Sequence, residues 1–140
     1  MPMLSEQLIT MEELINKYKK MINELLGNPS FDFNEDLTTN LPQKPGVYRI
    51  FEKENPGKAI YLGKSKNLKN CIFYDHYKGD KIASTLKRKL IAGMNMSDEK
   101  EAMHYLSSKC SVQFIIIENK QLQTGFEHFA IAILVPKWND

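Results

Sequence analysis

Two short segments place a tyrosine beside a glycine: Gly46-Val47-Tyr48 and Tyr61-Leu62-Gly63. A phenol held in a site can pass a proton or orient a phosphate, although tyrosine is also ordinary in strands. Gly63 is followed by Lys64 and Ser65. That order would let backbone amides and a lysine meet a phosphate at a helix start, unless the glycine simply ends a strand. Glu127 lies in the run Phe126 to Val135, FEHFAIAILV, where only it and His128 are polar. A carboxylate among apolar neighbours is costly unless it is paired or bound to metal. The plainer alternative is an edge glutamate that reaches water along its own stem. His76 and Tyr74 follow Cys71 on one helix, where His76 is a candidate general base or phosphate contact, or else solvent-facing. Cys71 has no adjacent cation in sequence and reads as a small buried residue rather than a nucleophile. His128 reads as partly exposed and structural, and His104 carries no signal.

Charge is distributed unevenly. Residues 58–89 hold 9 basic and 2 acidic residues, whereas 1–57 hold 6 and 9, and 90–140 hold 4 and 6. These central 32 residues therefore carry the whole positive excess of a chain whose net charge is only +2. It reads either as a solvated lysine-rich face or as a surface for phosphates. On the second reading Lys64, Lys66, Lys69, Lys81, Lys87, Arg88 and Lys89 form much of one nucleic-acid-facing surface. The chain has two arginines. Arg49 adjoins Tyr48 on a strand and points to the opposite face. Arg88 lies on a helix opposite a stripe of Ile82, Leu86 and Leu90, with Lys81 and Ser84.

These residues need elements to hold them. At 140 residues, 42% hydrophobic and 26% charged, the chain has the size and balance of one globular domain, which excludes a disordered tail or a fibrous protein. The longest apolar stretch, 129–135, is far too short to cross a bilayer. No leader opens the chain, and Cys71 and Cys110 form neither a disulfide framework nor a CxxC pair, so a reducing cytoplasm is expected. An amphipathic helix is predicted over 5–26, capped by Ser5, with Leu8, Met11, Ile15, Tyr18, Ile22 and Leu25 as its stripe. Residues 32–45 read as a polar loop. Strands are predicted at 46–51, 59–62 and 111–118, with a hairpin tip at Asn55-Pro56-Gly57. Helices are predicted over 66–77, 82–92, 97–106 and 122–134, the last with a core stripe of Phe126, Phe129 and Ile133. The result is an α+β fold with a small three-stranded antiparallel sheet flanked by helices, and an extra N-terminal helix. Residues 1–40 form that helix and a linker packed on a domain of 41–140.

Together, GVY at 46–48, YLG at 61–63, the following KSKNLKN, Glu127 and the ending Pro136-Lys137-Trp138-Asn139 resemble the GIY-YIG nuclease domain family over about 41–140. The resemblance implies a DNA endonuclease that hydrolyses phosphodiester bonds with one divalent ion, Mg²⁺ or Mn²⁺, and acts on DNA, expected as duplex. By the same resemblance Glu127 holds the ion and Tyr48 activates water, with Lys64 lowering its pKa or neutralising the phosphate. Tyr61 orients the phosphate, and Gly63 and Asn139 belong to the site wall. One position departs from the family pattern. The arginine that follows the second tripeptide is replaced by Cys71 in Asn67-Leu68-Lys69-Asn70-Cys71, and a cysteine supplies no positive fork. The resemblance leaves Arg88 as a possible substitute. It also leaves open a weak or inactive nucleic-acid-binding module of the same fold. A protein-interaction domain using the N-terminal helix is the third reading, and the oligomeric state stays open.

Overall fold

Alternation of apolar residues builds the sheet. In β2, Gly46–Glu52, every residue but the last is buried, so both faces of this strand must be covered. It pairs antiparallel with β3, Ala59–Ser65, through the predicted hairpin, and on its other side with β4, Cys110–Ile116. A fourth strand, β1, Phe31–Asp32, pairs with Val112 and Ser111 and completes the order β1-β4-β2-β3. The sheet thus has four strands rather than the three expected. The supposed polar loop supplies Phe31, which stacks on Phe114 at 6.0 Å between ring centroids. It also supplies a short helix, α2, Leu37–Asn40, which with its cap buries Leu37 and Leu41. The structure, a computed structural model, describes residues 2–139, with side chains from Thr10 onward.

Helices cover both sheet faces. On one face Tyr48, Ile50, Ile60 and Val112 pack with a π-helix, Asn70–Tyr77, and with α3, Thr85–Gly93, and α4, Glu99–Lys109. On the other face Val47, Leu62, Ile115 and Ile117 pack with α1, Pro2–Gly27, and α5, Lys120–Leu134. Only the C-terminal part of the α1 stripe is buried. Met21, Ile22 and Leu25 enter the core, whereas Met11 and Ile15 are exposed because the helix overruns the sheet. The burial expected of Leu8 and the cap expected of Ser5 lie outside the described side chains.

Two stripes are narrower than their periodicity suggested. α3 starts at Thr85, because the Ser84 side chain accepts the Lys87 amide as its N-cap, which leaves Ile82 ahead of the helix and exposed. In α5 the buried residues are Gln123, Phe126 and Ala130, while Ile133 is exposed near its end. Gln123 stays buried because its amide donates to the carbonyls of Gly46 and Ser65. No helix among the described residues is long and apolar enough to cross a membrane.

Candidate active site

Tyr48 faces the π-helix side of the sheet, directly across from Gly63 on β3. A Cβ at Gly63 would collide with the Tyr48 ring and hydroxyl. The glycine of the second tripeptide therefore serves the tyrosine of the first. It sits inside β3 rather than at the helix start that the sequence suggested. Tyr61, two residues earlier on β3, places its ring 6.3 Å from Tyr48 and 5.4 Å from the His76 ring.

His76 reaches this group through the winding of its helix. Cys71 and His76 are five residues apart, which in an α-helix separates them by about 140°. In the π-helix the bonds run i→i+5, as from the Lys78 amide to the Phe73 carbonyl, and the two side chains stack. The Cys71 sulfur is 3.7 Å from His76 Nε2 and 3.3 Å from the Tyr48 hydroxyl. Tyr48 Oη lies 2.5 Å from His76 Nε2, and His76 Nδ1 lies 2.6 Å from Ser84 Oγ. A buried chain of groups thus runs from Tyr48 through His76 to the cap of α3.

Electrostatics keep these groups neutral. Burial, helped by Lys87, pushes His76 down to about 4. Burial pushes the Tyr48 phenol well above its ordinary value, with the neighbouring Cys71 and Tyr61 adding to the effect. Lys64, on the same cleft wall, donates to Thr124 Oγ1 at 2.9 Å and acts on Glu127. The Cys71 thiol is also raised by burial, so it is a thiol and not a nucleophile.

Glu127 projects from α5 into the same cleft, with its side chain only 14% exposed. Burial raises its carboxyl, and Lys64 and His128 partly offset this. Asn139 closes the wall. Its side chain accepts the Leu62 amide at 2.8 Å and donates to the Leu62 carbonyl at 2.7 Å. The Trp138 amide bonds the Ile60 carbonyl, so the C-terminal segment runs along the free edge of β3. Val135, at φ 44°, makes the left-handed turn that starts this return.

The cleft encloses about 480 Å³ and is lined by Tyr48, Tyr61, Gly63, Lys64, Cys71, His76, Lys89, Glu127 and Asn139 among others. Most of the residues singled out in the sequence thus meet in one place. Arg88 does not, because it points outward from α3 and is exposed, while Thr85 and Lys89 face the cleft one turn apart. Lys66 and Lys81 are exposed and Lys69 partly so, all outside the lining. Lys87 is not on the surface at all. It is 1% exposed, with its ammonium donating to the carbonyls of Tyr77 and Gly79 at 2.5 and 2.6 Å. It satisfies the end of the π-helix with two of its three donors, and its burial keeps the ammonium off the surface that would meet DNA. Ser84, Thr85 and Thr124 are additional polar residues in or behind the cleft, and only the cap position of Ser84 could have been read from sequence.

No family model matches the chain. Over 106 residues it is 32% identical to a protein of Petrotoga mobilis, UvrABC system protein C, covering 76% of this chain and 16% of that protein. This chain is similar to UvrABC system protein C. The protein of that name from Clostridium botulinum strain Hall is 34% identical over 88 residues, covering 63% of this chain and 13% of the relative. That from Maricaulis maris is 54% identical over 37 residues, or 26% of this chain and 6% of the relative. The chain thus spans a small part of the length of these UvrC relatives. Among solved structures, the GIY-YIG N-terminal endonuclease domain of UvrC from Thermotoga maritima, bound to magnesium as its catalytic divalent cation, is 23% identical with a TM-score of 0.44. That match covers 76% of this chain and 99% of the domain.

Proposed function

We propose that the cleft hydrolyses phosphodiester bonds of DNA, with one divalent ion held by Glu127. The observation that carries this reading is the convergence of Tyr48, Tyr61, Lys64, His76, Glu127 and Asn139, drawn from distant parts of the chain, on one cleft. The donor set suits a hard ion. Glu127 is a partly desolvated carboxylate that a cation would stabilise, and no cluster of three or more His, Cys, Asp or Glu exists among the described residues. Mg²⁺ or Mn²⁺, which keep waters and take substrate oxygens, fit a single protein carboxylate; Zn²⁺ does not. When bound, the ion supplies positive charge to the phosphate oxygens.

The chain's own residues supply the rest. In the tautomer that carries its hydrogen on Nδ1, His76 donates to Ser84 Oγ and accepts from Tyr48 at Nε2. Tyr48 then takes a proton from the attacking water as it passes its own to His76, and never stands as a free phenolate. This suits a phenol whose pKa is raised rather than lowered. Tyr61 orients the phosphate, and Lys64 neutralises it from the side of α5. Lys89, not Arg88, faces the place where charge develops, and it takes the stabilising role. Lys66, Lys69, Lys81 and Arg88 hold the backbone of a duplex from the surface around the cleft.

Nicking of supercoiled plasmid in Mg²⁺ or Mn²⁺ tests the reading. Wild type should nick, and Glu127→Gln should not while melting like wild type. Equal nicking by both proteins overturns the assignment. One observation favours a second reading, a DNA-binding module with little or no activity: Cys71 stands in the cleft, 3.3 Å from the Tyr48 hydroxyl, where the family resemblance implies an arginine. On that reading wild type binds duplex with a steep salt dependence but does not nick, and Cys71→Arg restores cleavage.

A further inference from the structure

Arg49 has no part in the cleft, because the pleat of β2 turns it to the opposite sheet face from Tyr48. It is 4% exposed there, an unusual place for a guanidinium. Its Nε donates to Gln113 Oε1 at 2.7 Å and its Nη2 to the Pro56 carbonyl at 2.8 Å. The plane lies over the Phe51 ring, 4.3 Å from its centroid. Gln113 is fixed in turn, its amide donating to the carbonyls of Leu26 and Asn28. The guanidinium is thus held in place before any ligand arrives.

Two things are left unsatisfied. Nη1 is buried and has no hydrogen-bond partner. The cation also has no carboxylate partner among the described residues: both its bonds go to neutral oxygens, and burial pulls its pKa below the ordinary arginine value. A buried cation without an anion is costly, and so is an orphaned donor. Arg49 forms part of the wall of a cavity of about 640 Å³, with Leu26, Phe51, Pro56 and Lys53. The carboxylate on that wall, Asp32, is already engaged by Lys53 at 3.4 Å and by Ser111 Oγ at 3.0 Å.

We propose that this cavity binds a small organic carboxylate, paired with Arg49 at the back and Lys53 at the rim. The lining sets two cations against one carboxylate, which suits a monoanion better than a doubly charged phosphate. Leu26, Phe51 and Pro56 offer an apolar surface for the body of the acid. Pro56, on the exposed hairpin, accepts from Nη2, and binding entails a shift of this tip that brings Nη1 to a carboxylate oxygen. Recognition is by the planar fork, which matches a carboxylate edge.

The test is a titration followed by NMR at constant ionic strength, reading the Arg49 Nε–H and the Lys53 and Gln113 signals. Benzoate is the carboxylate probe, benzamide the neutral isostere and inorganic phosphate the competing oxyanion. Benzoate should give saturable shifts and benzamide none. Arg49→Gln should abolish saturation. Asp32→Asn should tighten benzoate by about threefold, because it removes the competing charge and frees Lys53. Lys53→Met should weaken it by a similar factor. These two rim variants decide the matter even if Arg49→Gln does not fold, since both lie on exposed side chains. Shifts that never saturate, equal shifts with benzamide, or indifference to both rim variants overturn the proposal. Tighter binding of phosphate than of benzoate overturns the carboxylate assignment.

Discussion

Acidification from pH 6.5 to pH 4 should destabilise the fold through His76 alone by roughly 3 kcal/mol. The folded chain holds this imidazole at about 4 because burial excludes the charged form, against 6.5 when exposed. Between those values the unfolded chain binds the proton and the folded chain does not. Stability is therefore fully present above 6.5, falls as the pH drops toward 4, and changes no further below it on this account. The structural cause is burial in a site 4% exposed, with the Lys87 ammonium adding repulsion. The lost energy corresponds to a drop in melting temperature on the order of 10 °C for a domain this size. The assay is denaturant or thermal unfolding at half-unit pH steps, for wild type and for His76→Gln. Subtracting the two profiles removes the carboxylates, and the other two histidines, His104 and His128, are exposed. The difference should be sigmoidal and confined to the window between 6.5 and 4. A flat difference profile would refute the reasoning, because it would mean that His76 is solvated or already protonated in the folded chain.

Other consequences are separable. Lys87→Ala removes the donors to the Tyr77 and Gly79 carbonyls and should cost about 2–4 kcal/mol in unfolding experiments, while the salt dependence of DNA binding stays unchanged. A surface lysine would behave the opposite way. Lys89→Ala should lower the saturated cleavage rate by on the order of 10²-fold, with Lys89→Arg recovering part of it, while Arg88→Ala should lower only affinity. Equal kinetic losses for both would place the stabilising cation elsewhere. Gly63→Ala should disturb the site without touching the chemistry directly, because its methyl meets the Tyr48 ring; a lost or shifted Tyr48–His76 hydrogen-bond signal in NMR reads this out.

Periodicity and turn chemistry determined the central elements. The alternation in GVYRIF and the Asn55-Pro56-Gly57 tip specify a hairpin because backbone and burial agree locally. The apolar run 126–135 specifies a helix with one acid in it, and the order of GVY, YLG, Glu127 and Pro136-Lys137-Trp138-Asn139 indicated which residues would meet. Those landmarks are legible because each is a short pattern of residue types. What the tertiary structure decided is of a different kind. Ile82 reads as core at four-residue spacing, but Ser84 caps α3 beyond it and leaves it in water. Lys87 reads as part of a basic surface, but one helical position turns it inward, where two carbonyls at the end of the π-helix need a donor. Cys71 and His76 stand together only because that helix winds with i→i+5 bonds, which a pattern read at 3.6 residues per turn does not anticipate. Composition and spacing report which side chains prefer burial. Which polar groups are actually buried, and what they bond to there, depends on where distant backbone atoms leave a donor or acceptor unpaired, and that is settled only when the whole chain has packed.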